Sequence, residues 1–171
     1  MIKVTAQGFT LIELMVVLAL AVLIFSLVMQ SRSLFHETFI RSEQDLLYAT
    51  CLYLQQSAMA TNGERTLTLH EDNGHGYTFD GTVRCLYPSI RFGVIPGVKG
   101  PPSAPTKELK RSITFKKQCI TFYPDGIIDA GTLYLTDDQH THLYALSSGV
   151  GVVSHLRRYR YEGGWQLRAE S

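Results

Sequence analysis

Glu13 is the one charged residue between Lys3 and Arg32, and it stands inside a run in which every residue from Leu14 to Met29 except Ser26 is apolar. A carboxylate within an apolar helix costs roughly 2.5–3.5 kcal/mol on insertion scales, so such a residue either lies near enough to an end to reach water or is held for a pairing role. Just before it, Gly8 closes a short polar start and Phe9 opens the apolar run. An ordinary secretory signal has the opposite order, with a small-residue cleavage site beyond the apolar run. Here the chain after Met29 reads Gln30-Ser31-Arg32-Ser33, so the apolar segment is expected to stay in the mature protein.

Other reactive side chains form weaker constellations. His140 and His142 beside Asp137 and Asp138 have the residue types of a zinc or calcium site, but no further ligands stand at useful spacing, and the reading is a solvated strand end. Cys51, Cys85 and Cys119 show no metal-ligand spacing; in an oxidising compartment Cys85 and Cys119 are the pair open to bridging, which spacing leaves undecided. Arg157, Arg158 and Arg160 alternate with Tyr159 and Tyr161, with Trp165 and Arg168 close behind. On a strand, Arg158 and Arg160 share one face. Positive charge with aromatic interleaving suits a nucleic-acid backbone and bases, whereas an edge strand guarded by arginines is the reading preferred here. There is no G-x-S-x-G, H-E-x-x-H, P-loop or dinucleotide fingerprint, so neither an enzyme nor a cofactor is expected. Sixteen Lys and Arg face fifteen Asp and Glu, a balance that selects no class of partner.

The elements that position these residues are legible from punctuation and period. Phe9 to Met29 spans 21 residues, close to the roughly 20 a helix needs to cross a bilayer. No Gly or Pro occurs between Gly8 and Gly63, so the helix is expected to run on to an Asn62-Gly63 stop, about 80 Å at 1.5 Å per residue. Past the apolar run, Phe39, Leu46, Leu47, Thr50, Cys51, Leu54 and Ala58 recur at helical spacing and need a cover. From Glu64 onward short β-branched and aromatic runs alternate with turns. The expected strands are 65–70, 77–79, 83–87, 112–115, 119–123, 132–136, 143–147, 150–161 and 165–168, an antiparallel β domain of seven to nine strands packed on the helix. Gly93 to Lys107, rich in Pro and Gly, reads as an irregular loop, a functional element or a tolerated insertion.

The string Gly8-Phe9-Thr10-Leu11-Ile12-Glu13-Leu14 resembles the prepilin cleavage and methylation motif of type IV pilins and type II secretion pseudopilins. The stretches Ile120 to Gly126, Gly131 to Leu135 and Ala145 to Val153 are similar to the head of the GspH/FimT group of minor pseudopilins and minor pilins. The resemblance implies an α+β protein: a leader at 1–8, a transmembrane assembly helix at 9–30, an amphipathic continuation at 31–62 and a periplasmic antiparallel β-sandwich head at 63–171. It implies cleavage after Gly8 by a prepilin peptidase, N-methylation of Phe9, and a buried pairing of Glu13 with a neighbouring subunit's N-terminal amine. The implied partners are major and minor pseudopilins and an inner-membrane assembly platform, and the implied work is that of a tip or priming subunit of a secretion pseudopilus. A minor type IV pilin that aids pilus assembly or DNA uptake is the alternative.

Overall fold

A computed structural model describes residues 10–72, 75–101, 106–149 and 154–168, with only the helical backbone over 27–35. The expected α+β composition is present: one long helix, α1 (Leu11–Thr61), is followed by nine strands and a short 3-10 turn at Lys116–Gln118. Contacts divide the chain into two compact units, one ending at Phe35 and one beginning at His36.

In the first unit α1 starts at a cap and presents apolar side chains to every side. Leu11, Val16, Leu20, Val22 and Phe25 are among a dozen large apolar residues there that are 54–76 % exposed in the isolated chain. A helix apolar all round is stable only where lipid or protein covers it. Among the described residues no helix is long and apolar enough to cross a membrane. The expected span continues into 27–30, whose side chains lie outside the described residues.

In the second unit α1 ends where the sequence says it should. Asn62 takes a left-handed φ of 49° and the Gly63 N–H donates to the Ala58 carbonyl at 3.1 Å, a Schellman closure with Asn in the left-handed position. The buried stripe is Ile40, Gln44, Leu47, Cys51, Leu54 and Ala58, alternating steps of four and three. This corrects the expected stripe at two places. Phe39 is 36 % exposed and stacks on Tyr87 with ring centroids 4.3 Å apart, and Leu46 is only half-buried, because Ile40 and Gln44 occupy the centre of the face.

The strands are β1 (Arg65–His70), β2 (Gly76–Phe79), β3 (Thr82–Cys85), β4 (Ile90–Phe92), β5 (Cys119–Phe122), β6 (Gly131–Asp137), β7 (Leu143–Ser148), β8 (Leu156–Tyr161) and β9 (Trp165–Leu167). They form two antiparallel sheets, ordered β3-β2-β1-β5 and β4-β6-β7-β8-β9. Asp80-Gly81, with φ of 45° and 77°, closes the β2–β3 hairpin as a two-residue turn whose left-handed geometry suits Asp-Gly. Alternate residues of both sheets, including Leu67, Ile120, Phe122, Leu133, Leu135 and Leu146, share one core with the buried stripe of α1.

Several strand limits differ from expectation. The 83–87 strand stops at Cys85, and 112–115 makes only a bridge of Ile113 to Leu133. Strand β8 begins at Leu156, with 150–153 outside the described residues. Strand β4, three residues long and beginning two after Pro88, carries too short a pattern to announce itself, and pairing with β6 alone defines it. The described residues between Gly93 and Lys107 contain no strand, yet they are tied down. Val98 is buried with Tyr134, Leu143, Ala145 and Tyr159 on the face of the second sheet that points away from the core, and the Trp165 indole N–H donates to the Lys99 carbonyl at 3.0 Å. Residues 102–105 lie outside the described set.

The open cysteine question closes on topology. Cys85 is on β3 and Cys119 on β5, with β2 and β1 between them, and three strand intervals of about 4.8 Å exceed the reach of a disulfide.

Candidate functional site

Gly8 and Phe9 lie outside the described residues, so the geometry begins at Thr10. The Thr10 backbone N–H donates to Glu13 Oε2 at 2.8 Å and the Thr10 hydroxyl donates to the same oxygen at 2.9 Å. In return the Glu13 backbone N–H donates to Thr10 Oγ1 at 3.3 Å. This is a capping box, in which two amides without helical partners are satisfied reciprocally. The T-x-x-E spacing was present in the sequence, but a reading centred on the cost of charge in lipid overlooked it. Glu13 therefore has local work in the single chain: it holds the first turn of α1 and keeps its carboxylate folded back toward the residue that follows Phe9. An amine created at Phe9 would form one residue away from that carboxylate's own hydrogen-bond donor.

The arginines of β8 do not form one basic surface. Arg158 Nη1 lies 2.9 Å from Asp45 Oδ1, and its guanidinium covers the Tyr48 ring with its carbon 4.4 Å from the centroid. Arg160 Nη2 meets Glu37 at 2.7 Å and Glu162 at 2.6 Å, and Arg168 Nη1 meets Asp45 at 3.0 Å. The face shared by Arg158 and Arg160 thus looks at α1 and is neutralised by helix carboxylates, while Arg157 is exposed. A run of alternating charges cannot reveal this, because the helix partners Glu37 and Asp45 stand more than a hundred residues away.

Between these pairs sits Gln44, fully buried. Its Nε2 donates to the carbonyls of Ala145 at 2.8 Å and Tyr159 at 3.2 Å, and its Oε1 accepts from Arg168 Nη1 at 2.5 Å. One side chain thereby ties α1 to β7, to β8 and to the residue after β9. No sequence signal distinguishes it from Gln56 of the same helix, which is exposed.

Around His140 and His142 the expected solvated strand end is met by Asp138 and His140, which are exposed, but not by Asp137. The Asp137 side chain is 1 % exposed and is enclosed by its own turn: Oδ1 accepts from the Thr141 and His142 amides at 2.7 and 3.2 Å, and Oδ2 lies 3.1 Å from His142 Nδ1 and also accepts from the Thr141 hydroxyl. Burial works to raise the Asp137 pKa, but the hydrogen bonds from Thr141 and His142 prevail and hold it below the ordinary aspartate value. His140 instead meets Arg91, Nε2 to Nη2 at 2.6 Å. Among the described residues no group of three or more His, Cys, Asp or Glu is placed to hold a metal ion.

Comparison with known proteins bears on the first of these places. Residues 5–29 match the family described as the prokaryotic N-terminal methylation motif. The match includes Gly8, Phe9 and Glu13 and the whole apolar run to Met29, and it stops short of the head. No curated protein and no solved structure matches the chain. The N-terminal segment thus carries a type IV pilin-like signal, the kind processed by a prepilin peptidase.

Proposed function

We propose that the protein is a minor pseudopilin of a type II secretion system, cleaved after Gly8, methylated on Phe9, anchored by the first half of α1 in the inner membrane with its head in the periplasm, and drawn from there into the tip or priming complex of the pseudopilus. The observation that carries the reading is the methylation-motif match at 5–29 on a helix whose apolar side chains are exposed all round. Lipid covers that helix before assembly, and neighbouring subunits cover it afterwards. The similarity of 120–126, 131–135 and 145–153 to minor pseudopilin heads supports the narrower assignment.

Glu13 acts at the transfer between those two environments. Thr10 satisfies its carboxylate while the subunit stands alone, and a neighbouring N-terminal amine offers a stronger partner in the filament, where two groups costly in lipid offset each other. No catalytic role is assigned to any residue.

Mass spectrometry of the protein from a host with an active prepilin peptidase tests the processing step. The expected mature chain begins at methylated Phe9, and an uncleaved chain or any other first residue would refute it. Glu13→Val should be cleaved and membrane-inserted yet absent from filaments, and its normal co-assembly would overturn the role given to Glu13. Deletion should abolish secretion of the system's cargo; loss of surface pili with secretion intact would assign the chain to a pilus.

A further inference from the structure

Some cations of the second unit are paired with carboxylates and others are not. Arg65, Arg158, Arg160 and Arg168 each meet a carboxylate within 3.5 Å. By contrast Lys99, Lys107, Lys110, Arg111, Lys116 and Lys117 fall within nineteen residues that hold a single acid, Glu108, and all six are exposed. Among the described residues none of the six forms an ion pair. Overall charge balance hides this, because the acids that would neutralise them lie elsewhere in the chain.

These cations surround concave ground. Two recesses of about 500 and 480 Å³ share Lys110 and Arg111 as a common wall, the first bounded also by Lys107 and Glu108 and the second by Lys117 and by Glu71, whose carboxylate accepts from Ser112 and Gln118. The floor of the first is Tyr134, whose side chain is fully buried and whose hydroxyl oxygen completes no hydrogen bond of normal geometry. Burial pushes that phenol up to about 12, against a weaker opposing contact with Thr132, so it is a neutral donor throughout the physiological range. Leu109 and Pro101 add apolar wall beside the charges. Lys117 and Gln118 both hold left-handed φ, 52° and 54°, an uncommon pairing for residues other than glycine.

We infer that this lysine-rich recess is a docking site for an acidic segment of a partner protein, whose carboxylates pair with the exposed Lys107, Lys110 and Arg111 above the buried Tyr134. The chemistry favours protein over the other polyanions. A nucleic-acid surface interleaves its charges with exposed aromatic rings for base stacking, whereas Tyr134 and Phe115 here are buried. Five of the six cations are lysines, compact point charges without the planar fork that pairs phosphate bidentately. An anionic bilayer presents a plane of headgroups, whereas these charges ring hollows that take a protruding side chain. The inference stands whether or not the secretion reading above holds, since it uses only the surface of the second unit.

The test uses the full chain in nonionic detergent micelles and a short fluorescent poly-glutamate peptide. Binding should weaken as ionic strength rises, because exposed charges are screened over about 10 Å at 0.1 M salt. Lys107→Gln/Lys110→Gln/Arg111→Gln should weaken it by roughly tenfold or more, and Arg157→Gln not measurably. Thermal unfolding of each variant checks that the fold is kept. Indifference to the triple substitution overturns the inference. So does tighter binding, charge for charge, of a single-stranded oligonucleotide or of phosphatidylglycerol vesicles.

Discussion

Replacing Gln44 by leucine tests whether one buried amide fixes the helix to the second sheet. The substitution keeps the volume close and removes the hydrogen bonds to the Ala145 and Tyr159 carbonyls and to Arg168. Each neutral bond is worth about 1 kcal/mol net, and the charge-assisted one about 1.5. Leucine returns roughly 1 kcal/mol through added apolar contact. Arg168 is not stranded, because Asp45 still pairs with both its Nη1 and its Nη2, so the larger penalty for an unpaired buried charge does not arise. The net expected loss is therefore about 2–3 kcal/mol, which for a unit of this size lowers Tm by roughly 6–12 °C. The assay follows the fluorescence of Trp165, the chain's one tryptophan, which packs 5.8 Å from Tyr134 and 5.4 Å from Tyr161 and so reports the sheet and not the apolar helix. A shift under about 2 °C would refute the reasoning, since it would mean that those bonds are replaced by water without loss.

Three further outcomes follow from the same structure. In the folded protein Cys85 should react with a maleimide while Cys51 does not, as Cys51 is fully buried and its thiol is pushed up to about 12; a Cys85–Cys119 bridge in the peptide map would contradict the strand order. Asp137 has a folded pKa below its unfolded value, so its contribution is present above the unfolded value of roughly 3.9 and is lost as pH falls through the folded one. Asp137→Asn should flatten the acid limb of stability against pH, and an unchanged limb in urea titrations would rule that out. Gly76→Ala should destabilise by about 2 kcal/mol or more, because its Cβ would stand 2.5 Å from the Arg84 carbonyl oxygen, while Gly164→Ala meets nothing within 4 Å; equal Tm shifts would refute the contrast.

Local chemistry was legible in the sequence because it acts over a few residues. The order of Gly8, Phe9 and Glu13 against an apolar run, the stop at Asn62-Gly63 and the turn at Asp80-Gly81 each depend on neighbours along the chain. The capping box of Thr10 and Glu13 belongs to the same class and was equally available. The stripe on α1 was readable to within a residue, since helical period identifies a face but not which member lies at its centre.

Tertiary structure alone decided which charges are free. Arg158 and Arg168 find Asp45 at separations of 113 and 123 residues, and Gln44 finds Ala145 at 101. No pattern in the sequence reaches that far. The basic run at 157–160, expected as an edge strand guarded by arginines, lies on β8 between β7 and β9 and is largely neutralised against the helix, while the less conspicuous lysines between 99 and 117 stay open to solvent. The physical reason is that a charge is defined by what it faces, and facing is a property of sheet order and helix packing. What the sequence by itself determined is the chemistry of the first turn and the apolar helix; what the fold decided is which surface of the head remains for a partner.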